Sequence, residues 1–199
     1  MNKESVFHNL LYIPSNLLLL FVIFLITKNI KISIILLLIL LFFFRNNYTN
    51  TIEPNNNYFL SPSSSTIIKI KDKKNYYKIK TFLSIYDRHF MIMPVDCKVI
   101  KIIDKKKKND IERKRVILQD KYNNIFYLDQ IVSKYGFGGY LPALFIKERC
   151  VLFCKEGDYL KQGERYGLIR FGSNMKYKIP KIYNINVVIN KHYNIGEVM

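Results

Sequence analysis

The chain has 199 residues, of which 49% are hydrophobic, and carries a formal net charge of +17 at neutral pH. That length allows one domain of ordinary size with an appendage, and the apolar share is enough for a core, which excludes a wholly disordered chain. The charge favours an anionic partner, either nucleic acid or an anionic membrane surface. The three cysteines fit neither a disulfide framework nor a Cys/His zinc site, so we predict reduced thiols and no metal.

Two apolar blocks, residues 17–26 and 32–44, dominate the N-terminus and are separated by a short polar break that contains Lys28 and Lys31. Neither block has a polar face, yet each is short for a membrane span of ~20 residues. Three membrane arrangements stay open: a re-entrant hairpin with the lysines at its tip, one long tilted span, or two helices lying in the interface. A hairpin in the core of a soluble domain is the alternative. We predict an α-helical hydrophobic membrane segment over residues 1–45.

A polar linker begins at residue 46, and the rest of the chain consists of short apolar or alternating runs bounded by turn residues. This pattern predicts a mainly β, compact domain of short antiparallel strands over residues 46–199. Residues 120–124 are rich in Asp and Asn and predict a hairpin turn, whereas the glycines of residues 135–140 predict a flexible loop. The predicted strands are 67–70, 76–85, 116–118, 125–132, 168–171, 174–179 and 182–189.

One of the three histidines lies two residues after an acid, in the pair Asp87-x-His89. Alternate residues of a strand share a face, so strand geometry would let Asp87 orient or charge-stabilise His89. His8 and His192 belong to no motif, and we predict that both are surface residues.

The most informative stretch runs from Glu156 to Pro180, and it reads as two short strands with the pair Gly172-Ser173 between them. Glycine weakens a strand and offers no side chain for packing. The pair is therefore either a bulge or a peptide bond that itself undergoes chemistry.

The run GD-x-L-x-x-GER-x-G-x-I-x-FGS, which ends at Ser173, resembles the C-terminal core of phosphatidylserine decarboxylase proenzymes in their short form. The similarity extends over the chain from about residue 42 onward. Other matching elements are Phe43-Phe44-Arg45, Ser61-Pro62, Asp87-x-His89 with Pro94, and the pairs Asp104-Lys105 and Glu112-Arg113.

The resemblance implies a carboxy-lyase of phospholipid biosynthesis that makes phosphatidylethanolamine from phosphatidylserine through a covalent pyruvoyl cofactor. In this family the Gly-Ser bond cleaves itself. The Ser173 hydroxyl would attack the Gly172 carbonyl to give an ester, and elimination and hydrolysis would leave a pyruvoyl group and ammonia. The resemblance thus implies Gly172–Ser173 as the cleavage site, Ser173 as catalytic and cofactor-bearing, and His89 with Asp87 as the acid that reprotonates the product carbon.

The partners that the resemblance implies are an anionic phospholipid substrate and the membrane, with no nucleic acid. The two cleaved chains would stay associated, and a homodimer is compatible with the sequence. We expect the protein at the membrane, on the cytoplasmic face of the cell's inner membrane, because the apolar N-terminus would hold the site where the lipid is.

Several positions depart from the family's pattern, among them Ser65, which stands where the family has a glycine. Ser64 stands where the family has the acidic member of its self-cleavage machinery, and a hydroxyl is no general base near neutral pH. Ile92 stands at the second histidine of longer members. Asn174 replaces the arginine that usually follows the serine in the short form.

Three hypotheses therefore stay open. In the first, the enzyme is active and Asp87, Asp96 or His89 acts as the base. In the second, the chain is a non-maturing, catalytically inactive membrane-bound homologue that acts as a binding or scaffold protein. A basic nucleic-acid-binding module is the third, although no recognition motif supports it.

Overall fold

A computed structural model describes residues 21–22, 24–43, 57–84, 86–105, 110–133, 148–170 and 173–199. Within these residues short helical segments precede a domain built from strands, so the predicted mainly β architecture is confirmed. The strands are β1 (Ser65–Asp72), β2 (Tyr76–Leu83), β3 (Phe90–Ile92), β4 (Cys97–Asp104), β5 (Asp110–Asp120), β6 (Ile125–Ser133), β7 (Cys150–Leu152), β8 (Tyr159–Leu160), β9 (Arg165–Ile169), β10 (Ser173–Pro180) and β11 (His192–Tyr193).

The described strands form two sheets in which every pairing is antiparallel. The larger sheet has eight strands in the order β11-β1-β2-β10-β6-β5-β4-β8, and the smaller has three in the order β3-β9-β7. The two strands that flank the Gly-Ser pair therefore belong to different sheets. The sequence indicated both strands but not this separation, because strand pairing is decided by contacts far along the chain.

One face of the large sheet packs on the core. In β10, Met175, Tyr177 and Ile179 are fully buried, whereas the lysines between them stay partly exposed, as the period of two in a strand requires. One hydrophobic cluster contains buried side chains from both sheets, among them Met91 and Ile169 of the small sheet. Burying a large aliphatic or aromatic side chain stabilises the fold by roughly 1.5–3 kcal/mol, so this shared core holds the two sheets together.

The predicted hairpin between β5 and β6 is confirmed, with Gln119 facing Ile125 across the turn. Asp120 closes the turn, since its carboxylate accepts the backbone N–H groups of Tyr122 and Asn124 at 2.9 and 2.8 Å. Asn123 takes the left-handed φ of 64° that such a turn needs and that Asn tolerates.

The predicted strand over residues 182–189 is wrong. Tyr183, Ile185 and Val187 do point toward the core in alternation, but their backbone forms turns and extended chain with no strand partner among the described residues. Side-chain alternation predicts a face, whereas a strand also needs a neighbour for its hydrogen bonds. The predicted flexible loop over residues 135–140 lies outside the described residues.

The described parts of the two N-terminal apolar blocks lie in separate helical segments. Lys28 ends the first with a left-handed φ of 58°, and the N–H groups of Lys28 and Asn29 donate to the carbonyls of Leu25 and Phe24, as in a Schellman motif. The second segment, α1 (Ile30–Phe43), exposes apolar side chains such as Leu38, which is 61% exposed. Among the described residues, none of the helices combines the length and the apolar character that a membrane crossing requires.

Gly167→Ala should destabilise the fold by about 3 kcal/mol, at the high end of overpacking effects. A Cβ at this position would lie 2.4 Å from Gln130 Nε2 and 2.6 Å from the carbonyl oxygen of Val151. That carbonyl belongs to β7, which pairs with β9 at this point, so it cannot retreat without loss of the pairing. A denaturant unfolding curve measures the change.

Gly157→Ala is the matched control, because its Cβ would meet nothing within 4 Å and only its φ of 95° opposes the substitution. We expect a cost of about 1 kcal/mol there. If Gly157→Ala destabilised the protein more than Gly167→Ala, the close packing of β9 between its neighbours would be contradicted.

Candidate functional site

The candidate site lies where the chain passes twice between the two sheets. Residues 84–89 lead from β2 of the large sheet to β3 of the small one, and residues 170–172 lead back from β9 to β10. The two crossings are held side by side at both ends. In the large sheet Leu83 pairs with Ser173, and in the small sheet Phe90 pairs with Leu168.

The predicted cleavage site falls on the second crossing. Ser173 is the first residue of β10, and Gly172 lies outside the described residues. β10 is central in the large sheet, between β2 and β6. The strand that begins at Ser173 is therefore hydrogen-bonded on both sides, and it directly follows the crossing from the small sheet to the large one.

The segment before this bond is held by a cluster of charged residues. Glu112 of β5 accepts the backbone N–H groups of Arg149 and Cys150 at 2.8 and 3.1 Å. Arg149 Nε in turn donates to the carbonyl oxygen of Arg170 at 3.0 Å. Burial lowers the pKa of both guanidinium groups, Arg149 and Arg170, although arginine stays charged at neutral pH. Two positive charges thus lie beside the crossing.

Asp87 contacts His192, a residue to which the sequence analysis gave no functional role. Residues 86–89 form a turn and a bend rather than a strand, so the alternation expected for Asp87 and His89 does not apply. The Asp87 carboxylate accepts the Ser84 N–H at 2.7 Å and lies 2.8 Å from Nε2 of His192. His192 was predicted as a surface residue, and its side chain is 42% exposed, but it forms an acid–imidazole pair.

His192 reaches Asp87 because β11 pairs with the start of β1, where Thr66 faces His192. The two partners are 105 residues apart in sequence. No spacing rule could have found this pair. The one signal in the sequence was an isolated histidine, His192, close to a predicted strand near the C-terminus.

His89 lies at the other end of the first crossing. It is 2% exposed, and its carbonyl oxygen accepts the N–H of Ile169, three residues before Gly172. The backbone of His89 is thus fixed against the strand that leads to the predicted cleavage site. The role of the His89 imidazole as a proton donor beside the crossing stays a prediction.

Ser64 is buried and its hydroxyl accepts the N–H of Ile195 at 3.2 Å. Its neighbours form a hydroxyl network in which Ser63 contacts Ser65 at 3.0 Å and the Tyr177 hydroxyl at 2.7 Å. Burial raises the pKa of Tyr177, so the network is neutral. The position that carries an acid in the family therefore has a structural role here.

Asp96 lies away from the site, and the three cysteines are chemically inert. Asp96 precedes β4, whose first residue faces Asp120, and this end of β5 is roughly 25 Å along the strand from the end near Ser173. Burial raises the pKa of the Cys154 thiol to about 11 and also raises that of Cys97 and Cys150, so the cysteines are protonated at neutral pH.

The family model for phosphatidylserine decarboxylase matches residues 38–199 of the chain. The chain belongs to the phosphatidylserine decarboxylase family. A provisionally named archaetidylserine decarboxylase proenzyme of Methanothermobacter thermautotrophicus is 33% identical over 122 residues, which are 61% of this chain and 53% of the relative. The phosphatidylserine decarboxylase proenzyme of Citrifermentans bemidjiense is 30% identical over 128 residues, 61% of this chain and 55% of the relative.

A second archaeal relative in this family, from Methanosarcina mazei, is 30% identical over 65% of this chain and 59% of its own length. The matched part of the chain thus spans a little more than half the length of these curated relatives. No solved structure matches the chain.

Proposed function

We propose that the chain is the proenzyme of a phosphatidylserine decarboxylase that matures by cleavage between Gly172 and Ser173. The observation that carries the proposal is the paired crossing. It sets Ser173, at the end of the family's GER-x-G-x-I-x-FGS run, beside the turn that holds Asp87 and His89. This neighbourhood supports a nucleophile from Ser173 with a carboxylate and an imidazole from the turn, which is the set of groups that acyl transfer requires.

Maturation uses only groups of this chain and water. The Ser173 oxygen attacks the Gly172 carbonyl carbon and displaces the amide nitrogen, which gives an ester. A base then removes the α-proton of residue 173, and the ester oxygen leaves as the carboxylate of Gly172. Water converts the dehydroalanine that remains into a pyruvoyl group and ammonia. We propose Asp87, paired with His192, as the acid–base unit for this step, since Ser64 cannot supply it.

The pyruvoyl group supplies an electron sink that lets the bond to a substrate carboxylate break. The residues around the crossing fit this use. The arginines Arg149 and Arg170 place positive charge where an anionic headgroup would approach. His89, buried against the strand that leads to the bond, is the proposed acid that returns a proton to the product carbon.

The small chain, residues 173–199, stays with the large one after cleavage. It carries β10, which pairs along its length with β2 on one side and with β6 on the other. It also carries β11 and the buried aromatic residues Tyr177 and Tyr183. Separation would expose this core, so noncovalent contacts suffice to hold the two chains together.

The substrate we propose is the serine phospholipid phosphatidylserine, and the product phosphatidylethanolamine. The names of the relatives, phosphatidylserine and archaetidylserine decarboxylase, share the phosphoserine headgroup. The exposed apolar side chains of α1 support a hydrophobic N-terminal membrane segment, because a monomeric soluble protein seldom exposes such a patch. This segment would hold the site at the cytoplasmic face of the cell membrane.

Purified full-length protein should convert phosphatidylserine in mixed micelles into phosphatidylethanolamine and carbon dioxide. Thin-layer chromatography of the lipid and release of label from the serine carboxyl carbon measure the two products. Borohydride, which reduces a carbonyl cofactor, should abolish the activity. Cleaved protein without turnover would contradict the substrate, and intact protein without turnover would favour the inactive homologue.

A further inference from the structure

Six lysines stand in two rows across three neighbouring strands of the large sheet. In the first row Lys80 of β2 faces Lys69 of β1 on one side and Lys176 of β10 on the other. The second row lies two residues further along the strands, where Lys78 faces Lys71 on one side and Lys178 on the other. Directly opposite residues project from the same side of a sheet, so the six ammonium groups share one face. We call this set the basic face.

The basic face is unfavourable for the isolated fold. Like charges that face each other across strands repel, and here four such pairs adjoin. In the described part of the chain, no salt bridge joins the four lysines of β1 and β2 to a carboxylate. The buried acid beside the rows, Asp129, is bound by Arg113 and by Arg115, the latter at 2.6 Å. The four lysines of β1 and β2 therefore give the basic face a net positive field.

A groove of about 620 Å³ runs over this face, and its lining adds Lys105, Arg113 and Arg115 to the lysines of the rows. Several basic side chains around one open groove attract a partner that carries many negative charges. The feature thus points to a polyanionic surface.

Two observations favour lipid headgroups over nucleic acid. Cations already cover the two tyrosine rings beside the lysine rows. Lys78 and Lys178 lie 5.3 and 4.9 Å from the ring centre of Tyr76. Arg115 lies 3.7 Å from the ring centre of Tyr127. Bases that stack on a protein need open aromatic faces. Tyrosines beside lysines are instead typical of the interface of a membrane.

We propose that the basic face docks on the phosphate headgroups of an anionic lipid bilayer. Lys176 lies three residues along β10 from Ser173, a distance of roughly 10 Å. A sheet that rests on the headgroups through these rows keeps the candidate site within reach of lipids in the same layer. This contact depends on charge, unlike any contact of the apolar helix α1, and it does not require that the chain be an enzyme.

The test compares full-length protein on vesicles of phosphatidylcholine alone and on vesicles of phosphatidylcholine mixed with phosphatidylglycerol. Phosphatidylglycerol is anionic but carries no serine, so the result is independent of turnover. The ratio of the two partition coefficients measures charge selectivity, and the contribution of α1 cancels in it. The variant in which lysines 69, 71, 78 and 80 become glutamine should lose selectivity by about 600-fold, since each basic residue near an anionic surface contributes roughly fivefold.

The matched control removes four exposed lysines elsewhere, at positions 98, 121, 155 and 161. Its net charge equals that of the first variant, and we expect its selectivity to stay within about fivefold of the original protein. Equal loss in both variants would overturn the proposal, since net charge alone would then explain binding. Tighter, face-dependent binding of single-stranded RNA than of vesicles, or saturation of the face by inorganic phosphate, would also overturn it.

Discussion

Ser173→Ala should leave the protein as a single chain, whereas the original protein should yield a large chain that ends at Gly172 and a small chain that begins at residue 173. Alanine keeps the strand and the fold but has no oxygen to attack the preceding carbonyl, so cleavage should be abolished rather than slowed. Denaturing gels show the fragments, and mass spectrometry gives the mass of the small chain. Its first residue should resist Edman degradation, since a pyruvoyl group has no free amine.

Ser133→Ala is a suitable control. Ser133 is the last residue of β6, the strand next to β10, and it lies at the same end of the large sheet as Ser173. It has no part in the proposed chemistry, so this variant should cleave as the original protein does. Intact original protein with Ser173 still in peptide linkage would contradict maturation, and cleavage of Ser173→Ala would contradict the role of the Ser173 hydroxyl.

The native state of the cleaved protein gives a second readout of the same experiment. Because β10 lies between β2 and β6, both fragments should elute together from a sizing column under native conditions. They should separate only in denaturant. Fragments that part without denaturant would contradict the central position of β10.

The sequence predicted what depends on local chemistry. The turn at Asp120 followed from side-chain acceptors that bond the next few backbone N–H groups, and Pro180 marked the end of β10. The alternation of Met175, Tyr177 and Ile179 also predicted which face is buried. Each of these features is set by residues within a few positions of one another.

The sequence could not predict what depends on long-range pairing. Residues 182–189 alternate as a strand does, but nothing within them shows that no neighbour pairs with them. The separation of β9 and β10 into two sheets, and with it the crossing at the candidate site, follows from partners such as Phe90 and Leu83. The pair of Asp87 and His192 is the strongest case, because it arises from the docking of β11 on β1.

Asp87→Asn should slow cleavage by roughly 10²- to 10⁴-fold, the range by which a positioned acid or base accelerates a reaction. The amide oxygen of asparagine can still accept the Ser84 N–H, so the turn is kept while the negative charge beside His192 is lost. His192→Gln should have a similar effect, since it removes the imidazole and leaves the carboxylate. The pair is partly exposed and contributes at most about 1 kcal/mol to stability, so both variants should fold.

Rates of cleavage after synthesis, measured by pulse labelling, separate this role from a structural one. If the two groups act as a unit, the double variant should be no slower than either single variant, because groups that act together are not additive. Ser64→Ala is the comparison: it removes the acceptor of the Ile195 N–H and should cost about 1 kcal/mol of stability, but folded protein should cleave at the original rate. Normal cleavage in Asp87→Asn, or an equal loss in Ser64→Ala, would show that the carboxylate does not replace the acid that the family keeps at the position of Ser64.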